Sequence, residues 1–482
     1  MGPPATPPQA GLMKTGTGSA RSCTVAWSKS QFLSVPVPVF ILPRKSPNPP
    51  IPCMRYRTIT LGCKVNQYET ELLAEGLRRL GYRPAGRDEP ADLCAVNTCT
   101  VTADGDAKSR KAIRHLAREN PGAEIIVMGC YATRAADELA AMPGVSEVLT
   151  DKAQLPALLA RRGLLEPPSG ITRFGHRHRA YVKVQDGCRM PCAYCIIPRV
   201  RPKLSSRPPE DVADEVRRLV DVGHREIVLT GIHLGAYGQQ SQREASPDHA
   251  EKLADLVETL AQLPGEFRLR LSSLEVAEVD DRLLGVMADC PGRVCPHLHL
   301  SLQSGSDGVL RRMRRRYTAG QFVERCDAIR RRLDQPGLTT DVIVGFPGET
   351  DAEFAETCRL VERVGFARVH LFRFSPREGT PAATMADQVH GELKRRRMGE
   401  LGDVTKASRR AYMKSLVGRC VQALVETPVE DRRWLGTADR YVPVELPAAG
   451  EMEGRLVDVR LDAFDGKRLQ GTAGGPPRPQ VL

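Results

Sequence analysis

The run V184-Q-D-G-C-R-M-P-C-A-Y-C-I-I-P-R199 decides how this chain is to be read. Cys188, Cys192 and Cys195 follow a C-x₃-C-x₂-C spacing, so one compact loop can turn three thiolates onto one face of a cubane iron–sulfur cluster. Three protein ligands for four irons leave one iron open, and an open metal position means chemistry rather than scaffolding. The plain alternative is a zinc knuckle. A closed structural zinc site takes four ligands, usually as two pairs, and no fourth cysteine stands near this loop.

Tyr194, immediately before the third cysteine, completes a pattern that resembles the radical S-adenosylmethionine (radical SAM) superfamily. A second cysteine set lies upstream. T60-L-G-C-K-V-N-Q-Y-E-T70, V96-N-T-C-T-V-T102 and V127-M-G-C-Y-A132 place Cys63, Cys99 and Cys130 about one βα unit apart, each after a short apolar run and before a helical pattern. Loops after the carboxyl ends of parallel strands converge on one crevice, so these thiols can meet in space. A lone cysteine is usually a small buried hydrophobe, but that reading weakens when three occupy equivalent strand ends.

Two such triads, the upstream one first, resemble the methylthiotransferase family of radical SAM enzymes, from about Met54 to about residue 470. Family members attach a methylthio group to an unactivated carbon of a tRNA adenosine near the anticodon, or of a ribosomal-protein aspartate. T-L-G-C-K-V-N-Q-Y-E-T-E and N-T-C-T-V-T look most like the branch acting on N6-threonylcarbamoyladenosine. The resemblance implies two [4Fe-4S] clusters and S-adenosylmethionine (SAM) as cofactors. It implies cleavage of SAM to a 5′-deoxyadenosyl radical, hydrogen abstraction from C2 of the adenine, and delivery of a methylated sulfur from the auxiliary cluster. The implied partners are a tRNA anticodon stem-loop, a flavodoxin- or ferredoxin-like electron donor and a sulfur source. Action on isopentenyladenosine tRNA or a ribosomal protein, and a non-catalytic metal-stabilised RNA-binding protein, remain as alternatives.

Composition is compatible with this. At 482 residues, 41% hydrophobic and 27% charged, the chain is long enough for two or three cored domains. Six of its 14 cysteines fall in the triads and the rest show no disulfide-framework spacing, which fits a reducing cytoplasm. The first 53 residues hold five Lys or Arg, no acid, and proline-dense runs such as P47-N-P-P-I-P52. Such a leader cannot bury a core and is expected to be disordered, with Met54 as the natural start. Its apolar run Phe32–Leu42 is broken by prolines and too short to span a bilayer, so no membrane association is expected.

From Met54 onward, strand-like and helix-like segments alternate, predicting an α/β protein. A doubly wound N-terminal domain is expected over 54–165, with Asn66 and Glu69 capping a helix that stops at Gly81. Six strands, Y181–V184, E226–T230, F267–L271, H297–L300, T340–V344 and V369–F374, predict a partial (β/α)6 radical SAM barrel over 170–400, active at the strands' carboxyl ends. Short strands beyond Leu416 resemble a small RNA-binding TRAM-like β-barrel over 412–475.

Candidate SAM-contacting residues sit after successive barrel strands. They are Gly231 in the turn G231-I-H-L-G-A-Y-G238, Ser273 and Glu275 in S272-S-L-E275, Gln303, and Gly345 and Glu349 in G345-F-P-G-E349, together with Tyr194. The family usually continues S-S-L-E with proline, where this chain has Val276. Taken singly, each is more often a cap or turn former. Of the net charge of +12 the leader supplies five, yet residues 161–207 carry eleven Lys or Arg against two acids. Arg173, Arg177, Arg179, Arg199, Arg201, Lys203 and Arg207 are therefore expected to rim the cluster loop as phosphate contacts.

Overall fold

The computed structural model describes residue 2 and residues 54–175, 178–239, 248–430, 432–447 and 450–474. The expectations for the leader fall outside the described residues. Among those residues, no helix is long and apolar enough to cross a membrane.

The first layer comprises β1 (Arg55–Thr60), α1 (Lys64–Arg79), β2 (Arg83–Pro84), β3 (Leu93–Thr98), α2 (Ala103–Glu119), β4 (Glu124–Gly129), α3 (Cys130–Arg134), α4 (Ala136–Ala140), β5 (Val145–Val148) and α5 (Leu155–Arg161). Its five strands are parallel in the order β2-β1-β3-β4-β5. β3 is buried along its whole length, as a central strand covered on both faces must be. The first helix departs from expectation. It begins at Lys64 with Cys63 in the capping position, because Asn66 and Glu69 are otherwise engaged. Asn66 Nδ2 donates to the carbonyls of Leu61 and Thr98, and Glu69 is held by a lysine and an arginine of the next layer.

The second layer follows as β6 (Arg179–Asp186), α6 (Ile197–Val200), β7 (Ser205–Ser206), α7 (Pro209–Asp221), β8 (Glu226–Gly231), α8 (Asp248–Ala261), β9 (Arg268–Leu271), β10 (Ser273–Leu274), α9 (Asp281–Asp289), β11 (His297–Gln303), α10 (Asp307–Arg312), α11 (Ala319–Arg332), β12 (Gly337–Val344), α12 (Asp351–Val364) and β13 (Arg368–Arg373). Two four-stranded sheets, β7-β6-β8-β9 and β10-β11-β12-β13, form the curved wall. The six anticipated strands are β6, β8, β9, β11, β12 and β13. The two-residue strands β7 and β10 are too short to leave a periodic signal. Behind the wall lies the largest apolar core, from Val182, Leu229 and Leu269 to Phe322 and Phe366.

The long helix α13 (Gly391–Ser415) leads into β14 (Cys420–Val429), β15 (Arg433–Ala438), β16 (Pro443–Pro447), β17 (Leu456–Phe464) and β18 (Leu469–Ala473), closed as a barrel in the order β14-β15-β16-β18-β17. Closure removes the edge strands that so small a sheet would otherwise expose. The barrel docks on the second layer through arginines. Arg268 donates to the carbonyls of Gln422 and Thr437 at 2.7 and 2.9 Å, and Arg270 to that of Asp439 at 2.7 Å.

Candidate functional site

The three upstream cysteines each follow one of three adjacent parallel strands. Cys63 caps α1 after β1, Cys99 follows β3, and Cys130 opens α3 directly after β4. Two glycines let these loops close on one another. Gly62 has φ +102°, and a Cβ there would lie 3.0 Å from Cys99 Cβ. Gly129 has φ +101°, and a Cβ would sit 2.4 Å from the Thr98 carbonyl, so neither position admits a side chain without displacement.

Cys188, Cys192 and Cys195 lie in the loop between β6 and α6. Main-chain bonds pin it at both ends, from Cys188 N to the Arg201 carbonyl at 3.0 Å and from Ala193 N to the Met313 carbonyl at 3.0 Å. Ala193 and Tyr194 pack with Val309, Met313, Phe346, Phe374 and Ala382, so the ring before the third cysteine is an anchor. Cys130 packs against Ile196 and Val200, which makes the two cysteine loops neighbours.

Desolvation by the packed protein around them dominates four of the thiols. It pushes Cys63, whose residue is exposed, up to about 11 and Cys195 to about 12, and raises Cys99 and Cys192. Within each set the thiols also feel one another's charge, Cys63 and Cys99 that of Cys130, and Cys195 that of Cys192 and Cys188. A single zinc ion bound at about 2.3 Å would draw its thiolates to within about 4 Å of one another. Among the described residues, neither triad is that tight, since the one set of three ligand atoms within 4.8 Å is His299, Asp341 and His370. Neighbouring but wider-spaced thiols suit a multi-iron cluster, whose loading displaces their protons.

Two arginines organise the loops, and neither role was visible in the sequence. Arg201 Nε donates to Cys130 Sγ at 3.3 Å. Its guanidinium holds Glu69 through two bonds of 2.8 Å, Asp186 at 2.8 Å and Asn66 Oδ1 at 3.1 Å. It thereby ties α1 and α3 to the end of β6. Arg315 donates to Cys192 Sγ at 3.3 Å and to the Tyr194 hydroxyl at 3.5 Å, and pairs with Glu275. Arg315 belongs to the run R311-R-M-R-R-R316, which reads in sequence as a solvated face; with 2% of its side chain exposed, it is instead an internal counter-charge to the loop that carries Cys188, Cys192 and Cys195.

The same finding corrects the expected basic rim in part, since Arg173 and Arg199 are exposed but most of the others are paired. Arg179 pairs with Glu226, Arg201 with Glu69 and Asp186, and Arg207 with Glu215. Lys203 is exposed but pairs with Asp151, while Arg177 lies outside the described residues. Charge counted along the chain overstated the open surface, because carboxylates distant in sequence fold onto these guanidiniums. Replacing Arg201 by methionine is expected to cost about 3 kcal/mol, since breaking a buried pair strands its partners while Lys183 still neutralises Glu69 and Asp186. Thermal unfolding checks the stability. Iron analysis of the reconstituted variant should show selective loss at the upstream triad.

Two cavities open beside these loops. One, of about 220 Å³, is lined by Thr102, Tyr194, Cys195, Gln303, Asp341 and Phe372 among others. The other, of about 470 Å³, includes Cys63, Lys64, Gly231, Ser273, Asp341 and Phe372. Asp341 and Phe372 border both, so the cavities adjoin between the two cysteine sets. Gln303, at the end of β11, takes φ 66°, a left-handed conformation that a non-glycine residue rarely holds without a local reason.

Of the anticipated SAM contacts, Tyr194 and Gln303 face the smaller cavity and Gly231 and Ser273 the larger. Glu275, Gly345 and Glu349 line neither. Glu275 is the partner of Arg315, and with Glu278 it caps the turn that begins at buried Val276. Glu349 accepts from Gly345 N at 2.8 Å and from Arg397 at 2.7 Å, holding the turn after β12 against α13. Burial raises its carboxyl, although Gly345 N and Arg397 oppose the shift.

Residues 182–361 match the Radical SAM superfamily and residues 55–150 the group described as Uncharacterized protein family UPF0004. The chain is 37% identical over 423 residues to the threonylcarbamoyladenosine tRNA methylthiotransferase MtaB of Bacillus subtilis, covering 83% of this chain and 92% of that protein. The MtaB protein of Thermotoga maritima is 38% identical, covering 85% and 94%. The tRNA-2-methylthio-N(6)-dimethylallyladenosine synthase of Desulfitobacterium hafniense is 32% identical, covering 86% and 96%. Among solved structures, the radical SAM methyltransferase TsrM of Kitasatospora setae superposes with a TM-score of 0.51 at 14% identity, over 68% of this chain and 77% of that one, a likeness of fold. With such identity across nearly the whole of these curated relatives, and with its two cysteine triads on adjoining loops, this chain belongs to the radical SAM methylthiotransferase family.

Proposed function

We propose that this protein methylthiolates N6-threonylcarbamoyladenosine in the anticodon loop of tRNA, at C2 of the adenine. The carrying observation is that two cysteine triads on neighbouring loops border adjoining cavities, one beside Cys195 and the other beside Cys63. The relatives of higher identity act, by their names, on threonylcarbamoyladenosine.

Cys188, Cys192 and Cys195 hold a [4Fe-4S] cluster for SAM, and Cys63, Cys99 and Cys130 hold the auxiliary one. When bound, these groups supply the one-electron chemistry and the sulfur that an unactivated aromatic carbon requires. The protein's part is positioning and exclusion of water. Arg315 balances the charge of the Cys192 thiolate from a buried position. Tyr194, Phe374 and Ile343 keep the wall of the smaller cavity apolar, which protects reactive species from solvent. Gln303 and Asp341 offer the polar edge that orients a nucleoside. The C-terminal barrel and exposed residues of α13 serve as RNA contacts. With eight basic and ten acidic residues over 415–475, the barrel must rely on shape and stacking more than on charge. A flavodoxin- or ferredoxin-like donor and a sulfur source complete the cycle in a reducing cytoplasm.

The test is turnover by anaerobically reconstituted protein on anticodon stem-loops. The threonylcarbamoyl substrate should gain one methylthio group and the dimethylallyl one should react far more slowly. The reverse preference would contradict the assignment.

A further inference from the structure

The larger cavity contains a charge that the protein itself does not use. Its lining includes Lys64, Arg179, Arg270, His297, His299 and His370, with Asp341 the one acid among the described residues that line it. Most of these groups are already engaged. Arg179 and Arg270 both pair with buried Glu226, and Arg270 also donates to the carbonyl of Asp439. His297 shares the Thr339 hydroxyl with His299, and His299 Nε2 lies 3.2 Å from Asp341. The Lys64 ammonium, half-buried, has no hydrogen-bonded or ion-paired partner among the described residues. An ammonium drawn partly out of water is costly unless an anion completes it, and the anionic groups that act on it here, Asp341 and Cys63, do so through space without a hydrogen bond.

The chemistry of the nucleoside supplies that anion. Threonylcarbamoyladenosine differs from adenosine by a urea-linked threonine that ends in a carboxylate and a hydroxyl. A dimethylallyl substituent offers neither. We infer that Lys64 is the receptor for the threonyl carboxylate, and so the residue by which this enzyme distinguishes a threonylcarbamoyl base from an apolar one; this rests on the function proposed above. Lys64 directly follows Cys63, so a carboxylate held there fixes the substituent beside the upstream cysteine set. Ser273 and Thr230, on the same lining, are suited to the threonine hydroxyl and the urea. The trio His299, Asp341 and His370 has donor types that could hold a divalent cation. Three cationic side chains lining the same cavity oppose a dication and favour an anion.

The experiment uses the full-length protein reconstituted with both clusters, and two stem-loops, one with the threonyl carboxylate free and one with it capped as the primary amide. Lys64→Met, Lys64→Gln and Lys64→Arg are compared with the wild type at matched iron and sulfide content. Charged hydrogen bonds lost on capping predict that wild-type kcat/KM falls about 10- to 100-fold from acid to amide, mostly through KM. Lys64→Met and Lys64→Gln should lose a similar factor on the acid and show no preference between the two, whereas Lys64→Arg should keep part of it. A wild type indifferent to capping would overturn the inference, as would either neutral variant that loads its clusters and retains the wild-type preference. Wild-type protein that methylthiolates neither stem-loop would overturn instead the functional reading beneath it.

Discussion

Replacing Cys192 by alanine should reduce methylthiolation by at least about 1,000-fold, because a ligand of a cluster on which the reaction depends acts as a unit with its partners. Iron should fall to about half of the wild-type content, since the upstream triad is untouched. The fold should survive. Cys192 is buried, but its loop is held by main-chain bonds to Arg201 and Met313 and by the packing of Ala193 and Tyr194, none of which uses the thiol. What the substitution removes is the acceptor of the Arg315 hydrogen bond, and Arg315 keeps Glu275 and the Ser301 carbonyl as partners. A structural zinc site would behave oppositely, with ligand loss melting the domain and a correspondingly large drop in thermal stability. Metal analysis, activity and a thermal scan on one variant therefore separate the two readings.

Replacing Glu226 by alanine should produce the largest loss of stability, about 5 kcal/mol, at the upper end for a broken buried ion pair. Glu226 opens β8 with no solvent exposure and is the counter-ion of three arginines. It accepts from Arg268 Nε at 2.7 Å and from Arg270 Nε at 2.9 Å, and pairs with Arg179 Nε at 2.6 Å. Arg268 and Arg270 are the side chains that dock the C-terminal barrel, so the variant should release the barrel before the rest of the chain unfolds. Limited proteolysis should then cut near the end of α13. The pH dependence has a definite sign. Burial alone would raise the Glu226 carboxyl, but the charges of Arg270, Arg179 and Arg268 outweigh it and hold the group well below the ordinary carboxylate range. The stabilisation is fully present above the unfolded carboxylate value of about 4.3 and declines as pH falls below it toward the folded one.

The positions of these features explain what could be read from the chain alone. The placement of the six cysteines, three on one loop and three after adjacent strands, was legible because spacing within a loop and the recurrence of cysteine at strand ends are local patterns. The six barrel strands were legible for the same reason, each a short apolar run between helical periods. Arg201, Arg315 and Glu226 were not, since a buried guanidinium is indistinguishable in sequence from an exposed one until its carboxylate arrives from another element. Glu69 meets Arg201 across 132 positions, and Arg315 meets Cys192 across 123. Helix α1 began three residues earlier than its capping signal because Asn66 bonds across to β3 and Glu69 to β6.

The most direct measurement of the central claim is the nucleoside mass profile of tRNA from cells with and without this gene. The account predicts that 2-methylthio-N6-threonylcarbamoyladenosine disappears and the unthiolated nucleoside accumulates, with other adenosine modifications unchanged. An unaltered profile, or loss of the methylthio group from a dimethylallyl nucleoside instead, would contradict it.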